Sequence, residues 1–174
     1  MLYFFSSGRA EMSLIPNFNE STSFNVLLNP AIGYFYNNGL VVVPAGSITP
    51  IPITTITVVN DMTPLTPTTS SVTLNRPGTY RFNITCNVSP TTFTNLNYFI
   101  TLNCLKNGVV ISPSPRTTQV SRSGPFAFST ADVACMSAEW VDTCVVGDII
   151  EGAIFVSAIN CNVSTYSLTI QQIK

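Results

Sequence analysis

The sequence predicts an all-β protein, a two-layer sandwich of about eight to ten antiparallel strands behind an N-terminal arm. Three observations point there. Thr, Val and Ile supply 54 of the 174 residues, and their branched side chains lose χ1 freedom in a helix yet pack well on a pleated surface. Twelve Pro and nine Gly are spread along the chain, which forbids a long uninterrupted helix. Several segments alternate apolar and polar residues with period two, the pattern of a strand with one face buried.

Residues 1–30 contain Pro16 and Pro30 without a sustained period. They are expected to form an arm, held by a neighbouring subunit or by the core of their own domain, and residues 31–174 the single domain. The segments 32–36 and 40–43 flank Asn37-Asn38-Gly39. A hairpin is expected there, because Asn-Gly supplies the positive φ values of tight hairpin turns. Pro44, Pro50 and Pro52 separate this pair from a strand at 53–59, and residues 60–71, with Asp61, Pro64 and Pro67, read as a loop.

From Val72 the pattern sharpens. A short strand at 72–74 meets Arg76-Pro77-Gly78, a turn with Pro and Gly in type II positions. Residues 79–88 then alternate without fault: Tyr80, Phe82, Ile84, Cys86 and Val88 inward, Arg81, Asn83, Thr85 and Asn87 outward. A strand at 98–105 runs into Lys106-Asn107-Gly108 and returns at 109–112 as a second Asn-Gly hairpin. Residues 113–131 form a Pro/Ser/Gly loop carrying Arg116 and Arg122. Three strands close the chain at 132–146, 149–159 and 163–173, the first two joined by a turn at Gly147-Asp148. Loops of this length are too long for a plain meander. The arrangement favours a single jelly roll over an immunoglobulin-like sandwich, which is shorter and usually holds an inter-sheet Cys pair around a buried Trp.

Composition narrows the function. Charged residues make 9% of the chain, the net charge is −1 and His is absent. An ordinary soluble domain carries about 25% charged residues. There is no basic footprint for nucleic acid and no polybasic stretch for a membrane surface. Without His, the commonest general base and metal ligand is missing, so Ser-His hydrolases, zincins and His-ligated haem are excluded. The N-terminus lacks the basic and apolar regions of a secretory signal, and no window approaches the ~18 apolar residues of a spanning helix. Either the chain is made and used without the secretory route or a signal was removed ahead of this numbering; Met1 favours the first.

Candidate sites are few. Cys86 and Cys104 share the parity of core residues, so the five cysteines are expected to be reduced small hydrophobes rather than bridge ends. Asp132, Glu139, Asp142, Asp148 and Glu151 cluster in sequence, but turn and solvent-face roles explain them better than a cation site. A Cys nucleophile would need a base that is absent. No catalytic, cofactor or metal residue is expected, and Trp140 reads as core. Tyr34, Phe35 and Tyr36 are consecutive, so a strand must turn either Phe35 or the two tyrosines away from its own core. An outward aromatic with few charges nearby suits a subunit interface, which makes these three the candidate interface residues. Arg116 and Arg122 are the candidate loop contacts to a partner carboxylate or glycan.

Order and spacing add a resemblance. Pro77-Gly78-Thr79-Tyr80-Arg81-Phe82, then the strand ending in Leu105 with Lys106-Asn107-Gly108, then Val145-Val146-Gly147-Asp148-Ile149-Ile150, then the final strand around Tyr166 to Ile170 resemble the TNF-like superfamily. That superfamily includes complement-type globular heads and the heads of bacterial spore-surface filaments. The resemblance implies a compact jelly roll that forms trimers and acts as a ligand or surface head without enzymatic activity. Single jelly rolls are also the brick of icosahedral capsids and their vertices, and neither a collagen-like stalk nor a signal peptide accompanies this one. The expected function is therefore a non-enzymatic structural subunit of a virion, a minor capsid or vertex protein. It would assemble as a trimer or pentamer with itself and with neighbouring coat proteins, through low-charge surfaces and the arm. The alternative is a trimeric recognition head on a virus or spore surface that presents its loops to a receptor or glycan. The two separate by whether association needs the arm.

Overall fold

In the computed structural model, residues 30–58, 65–92, 94, 96–111, 116–120 and 132–174 are described, with the backbone alone at 58 and 116–120. The arm at 1–29 and the segment carrying Arg122 lie outside the described residues. Every element found is a strand: β1 (Ile32–Asn37), β2 (Val41–Val43), β3 (Ile48–Pro50), β4 (Thr55–Val58), β5 (Leu65–Pro67), β6 (Val72–Leu74), β7 (Gly78–Pro90), β8 (Tyr98–Lys106), β9 (Val109–Val110), β10 (Arg116–Val120), β11 (Ala134–Cys144), β12 (Ile149–Val156) and β13 (Cys161–Gln172).

These strands form two antiparallel sheets packed face to face, a jelly roll. The first runs β11-β7-β13-β1-β4, with β2 also paired to β13; the second runs β10-β8-β12-β6-β5, with β3 on β12 and β9 on β8. Three strands, β3, β5 and β10, come in addition to the ten segments expected. β1 and β2 lie end to end along one edge of β13, and β3 and β6 share one edge of β12.

This arrangement corrects the first expected hairpin. Asn37 pairs with Tyr166 and Val41 with Val163, so the chain continues in one direction past Asn38-Gly39 and does not reverse. Neither Asn38 nor Gly39 has a positive φ. The buried Asn37 side chain fixes the jog instead: its Nδ2 donates to Pro52 O at 2.9 Å and its Oδ1 accepts the Gly39 N–H at 2.6 Å. The second Asn-Gly behaves as expected. Asn107 and Gly108 have φ of 53° and 78°, the left-handed pair that closes β8 onto β9.

Two expected loops also hold strands. Leu65–Pro67 pairs with β6, and Arg116–Val120 pairs with β8. Prolines at 64, 67, 113 and 115 mask both in a sequence reading, yet Pro is admissible on or beside an edge strand, and β5 and β10 are edges.

The core lies between the sheets. Tyr80, Phe82, Ile84, Cys86 and Val88 point inward from β7 as the alternation requires, and Tyr166, Leu168 and Ile170 do so from β13. Trp140 is 3% exposed. Cys86, Cys104, Cys144 and Cys161 are buried free thiols, and Cys135 is an exposed one. Burial, with Cys135 as a further cause, pushes the Cys86 thiol up to about 12.

Candidate interaction face

The site emerges from the alternation of the first sheet. Phe35 is fully buried while Tyr34, at 36% exposure, and Tyr36 face out, so Phe35 leaves the candidate interface and the two tyrosines stay. The reason is register: Phe35 pairs with Leu168, itself a core residue, and cross-strand partners share a face.

The same register sets out the rest of the face. One row crosses the sheet as Thr57, Tyr34, Thr169, Asn83 and Glu139; the next as Thr55, Tyr36, Ser167, Thr85 and Ser137. Thr85 Oγ1 and Ser167 Oγ lie 2.6 Å apart in a hydrogen bond across the strands. The charges on this face are Arg81 on β7 and Glu139 on the edge strand β11, and they pair, with Nε 3.5 Å from Oε1. Their side chains are 46% and 50% exposed, so the pair adds little stability. Its effect is local neutralisation. Five strands with side chains of Thr, Ser, Asn, Gln and Tyr therefore present a face without net charge.

The second sheet presents a different surface. Ile48 and Phe99 are 48% and 45% exposed, Phe155 is half-buried and pairs with Ile48 on one side and Thr101 on the other, and Leu105 and Ala153 are buried on the same side.

One rim of the sandwich is tied by charge. Lys106 on β8 donates to Asp142 on β11, joining the two sheets, and also to Thr143 O at 3.1 Å. The hydrogen bond to Asp142 holds the Lys106 ammonium above its ordinary range. Beside it, Asp148 accepts Val145 N–H at 2.9 Å and Asn107 Nδ2 at 2.8 Å, while Asn107 Oδ1 accepts Ile149 N–H at 2.9 Å. Burial would raise the Asp148 carboxyl, but the Val145 N–H, the Asn107 amide and the Lys106 charge outweigh it and hold it below the usual range. Asp148 thus serves its turn, as expected. The inter-sheet pair Lys106–Asp142 was missed, though both residues carry the inward parity of their strands. A shallow recess of about 250 Å³ lies there, lined by Lys106, Val109, Val110, Ile111 and Asp142.

Among the described residues no three His, Cys, Asp or Glu side chains come together as a metal site. Arg116 begins β10 opposite Leu102 and is not on a loop.

No protein-family model and no curated protein matches the chain. Solved structures do. Eiger TNF from S. frugiperda aligns over 84% of this chain and 92% of that one, at 12% identity and a TM-score of 0.51. The globular domain of zebrafish complement 1qA protein aligns over 82% and 96%, at 14% identity and 0.50. PRD1 vertex protein P5 aligns over 83% and 97%, at 16% identity and 0.51. This chain has the TNF-like jelly-roll fold. At such identities the likeness is one of fold, and fold alone does not assign function.

Proposed function

We propose that the chain is a non-enzymatic structural subunit of a virion, a minor capsid or vertex protein, which associates with copies of itself through the outward face of the first sheet. The observation that carries this reading is the uncharged face around Tyr34 and Tyr36, with Arg81 and Glu139 cancelling one another. Scarce charge lowers the desolvation cost of burying a wide surface. Size supports it too. Five strands about 4.8 Å apart, three of them 11, 13 and 12 residues long and two of 6 and 4, make a projected face of roughly 750 Å², near the ~800 Å² per partner of a stable interface. The residue 1–30 arm adds contacts, and the patch around Ile48 and Phe99 meets neighbouring coat proteins. That a vertex protein shares the fold raises this reading; that a TNF and a complement globular domain share it equally keeps the recognition head as the second one.

The test is sedimentation of the full chain, of Tyr34→Glu/Tyr36→Glu and of a chain lacking residues 1–30, with proteomics of purified particles. The coat reading expects the chain in intact particles and loss of self-association in the double variant with the sheet signal in circular dichroism intact. A trimer that survives removal of the arm and is absent from particles supports the recognition head. Unchanged association in the double variant removes the tyrosine face from either reading.

A further inference from the structure

The two Asn-Gly dipeptides sit in contrasting chemical settings. Asn-Gly is the dipeptide most open to intramolecular attack, because glycine leaves the following amide nitrogen unhindered. At Asn107 both ends of the carboxamide are held: Nδ2 donates to the Asp148 carboxylate at 2.8 Å and Oδ1 accepts the Ile149 N–H at 2.9 Å. Its backbone N–H also donates to Ile149 O at 2.8 Å. Asn38 is exposed, and its carboxamide makes no hydrogen bond among the described residues. Among the described residues the hydrogen bond there restrains the attacking atom, the Gly39 N–H donating to Asn37 Oδ1 at 2.6 Å, a neutral bond that opens more readily than one to a carboxylate.

We propose that Asn38 is a site of spontaneous deamidation, converted to aspartate and isoaspartate in the folded protein, and that Asn107 is locked against the same reaction. The Gly39 nitrogen loses its proton and attacks Cγ of Asn38. The N–Cγ bond forms, the Cγ–Nδ2 bond breaks, and Nδ2 departs with a proton as ammonia, leaving a succinimide. One water then opens the ring: at Cγ it yields aspartate, at the main-chain carbonyl isoaspartate. No oxidant or cofactor is required. At Asn107 the carboxamide must first leave the Asp148 carboxylate and the Ile149 N–H together, and rotation about χ1 breaks both bonds. The product at Asn38 is a carboxylate one step beyond Tyr36 in the outward alternation of an otherwise neutral face. The inference itself does not depend on what that face binds.

The experiment incubates the full folded chain in mildly alkaline buffer and maps its peptides by mass, with enzymatic methylation of isoaspartyl groups as a second readout. The Asn38 peptide is expected to convert, and the Asn107 peptide at least about tenfold more slowly, because two side-chain hydrogen bonds must open at once. In denaturant the two are expected to convert at similar rates. Gly39→Ala should slow Asn38 selectively. Its added carbon would meet only Asn37 Oδ1, at 3.1 Å, so that oxygen must give by a few tenths of an ångström, and circular dichroism checks that the variant stays folded. Asp148→Ala should release Asn107 and leave Asn38 unchanged. Equal rates in the folded chain overturn the proposal. So does an intact Asn38 under conditions that convert both sites in denaturant; that comparison needs no variant.

Discussion

Gly152 faces Tyr166 across the sandwich, and replacing it with alanine tests the packing of the two sheets against each other. A Cβ there would overlap the Tyr166 hydroxyl and lie 2.8 Å from Cζ and 3.1 Å from Ile84 Cδ1. Tyr166 and Ile84 are buried, so neither can swing into solvent. Overpacking of this kind costs about 1–3 kcal/mol, and alanine recovers ~0.5–1 kcal/mol of backbone entropy relative to glycine. Because the overlap with the buried Tyr166 is severe, the upper end of the overpacking range applies, and the net expectation for Gly152→Ala is a loss of about 2 kcal/mol. The Tyr166 hydroxyl makes no hydrogen bond among the described residues, so Tyr166→Phe should lie between neutral and about 1 kcal/mol stabilising. In the double variant the new methyl occupies the volume the oxygen leaves. Stability should then return to within about 1 kcal/mol of the parent, a coupling of ~1–2 kcal/mol. Equilibrium urea unfolding measures this, with the single, buried Trp140 as the fluorescence probe. Strictly additive losses would refute the contact. A cost above about 1.5 kcal/mol for Tyr166→Phe alone would show that the hydroxyl has a partner.

Three further outcomes are expected. Phe35→Ala should cost about 3–5 kcal/mol in the same assay, whereas Tyr34→Ala, one residue away on the outer face, should cost ~1 kcal/mol or less; similar losses would contradict the assigned register. The depressed Asp148 carboxyl contributes stability that is fully present above its unfolded value of 3.8 and is lost as pH falls through the lower folded value. Acid titration of unfolding should therefore be shallower below that value in Asp148→Asn, and an unchanged slope would remove Asp148 from the account. Finally, a thiol reagent at neutral pH should label Cys135 first, because Cys86, Cys104, Cys144 and Cys161 are buried and burial pushes the thiols of Cys144 and Cys161 up to about 11. All five should react in denaturant. Rapid native labelling of Cys104 would mean that the sheets open.

Much of the fold was legible because period-two burial is a local property. The inward set of β7 and the parity of Cys86, Cys104 and Trp140 follow from alternation alone, and the Asn107-Gly108 hairpin follows from turn chemistry held within four residues. Arg116–Val120 was legible in principle, since Thr117, Thr118 and Val120 favour a strand, but the surrounding Pro and Ser outweighed them. The candidate face was half legible: consecutive aromatics imply an outward one, and only the pairing of Phe35 with Leu168 says which.

By itself, then, the sequence determined the strand class, the inward residues of the long strands and the absence of His-based chemistry. Tertiary structure alone decided the rest, because those features rest on partners far away in the chain. Asn38-Gly39 could have turned the chain, but Val41 and Val43 find β13 as their partner and Asn37 is held by Pro52, so the strand runs on. Gly152 looks like an ordinary weak point in a strand until Tyr166 is laid across it. Lys106 and Asp142 are unremarkable inward-parity charges until two sheets bring them together at the rim, where each removes the cost of placing the other there.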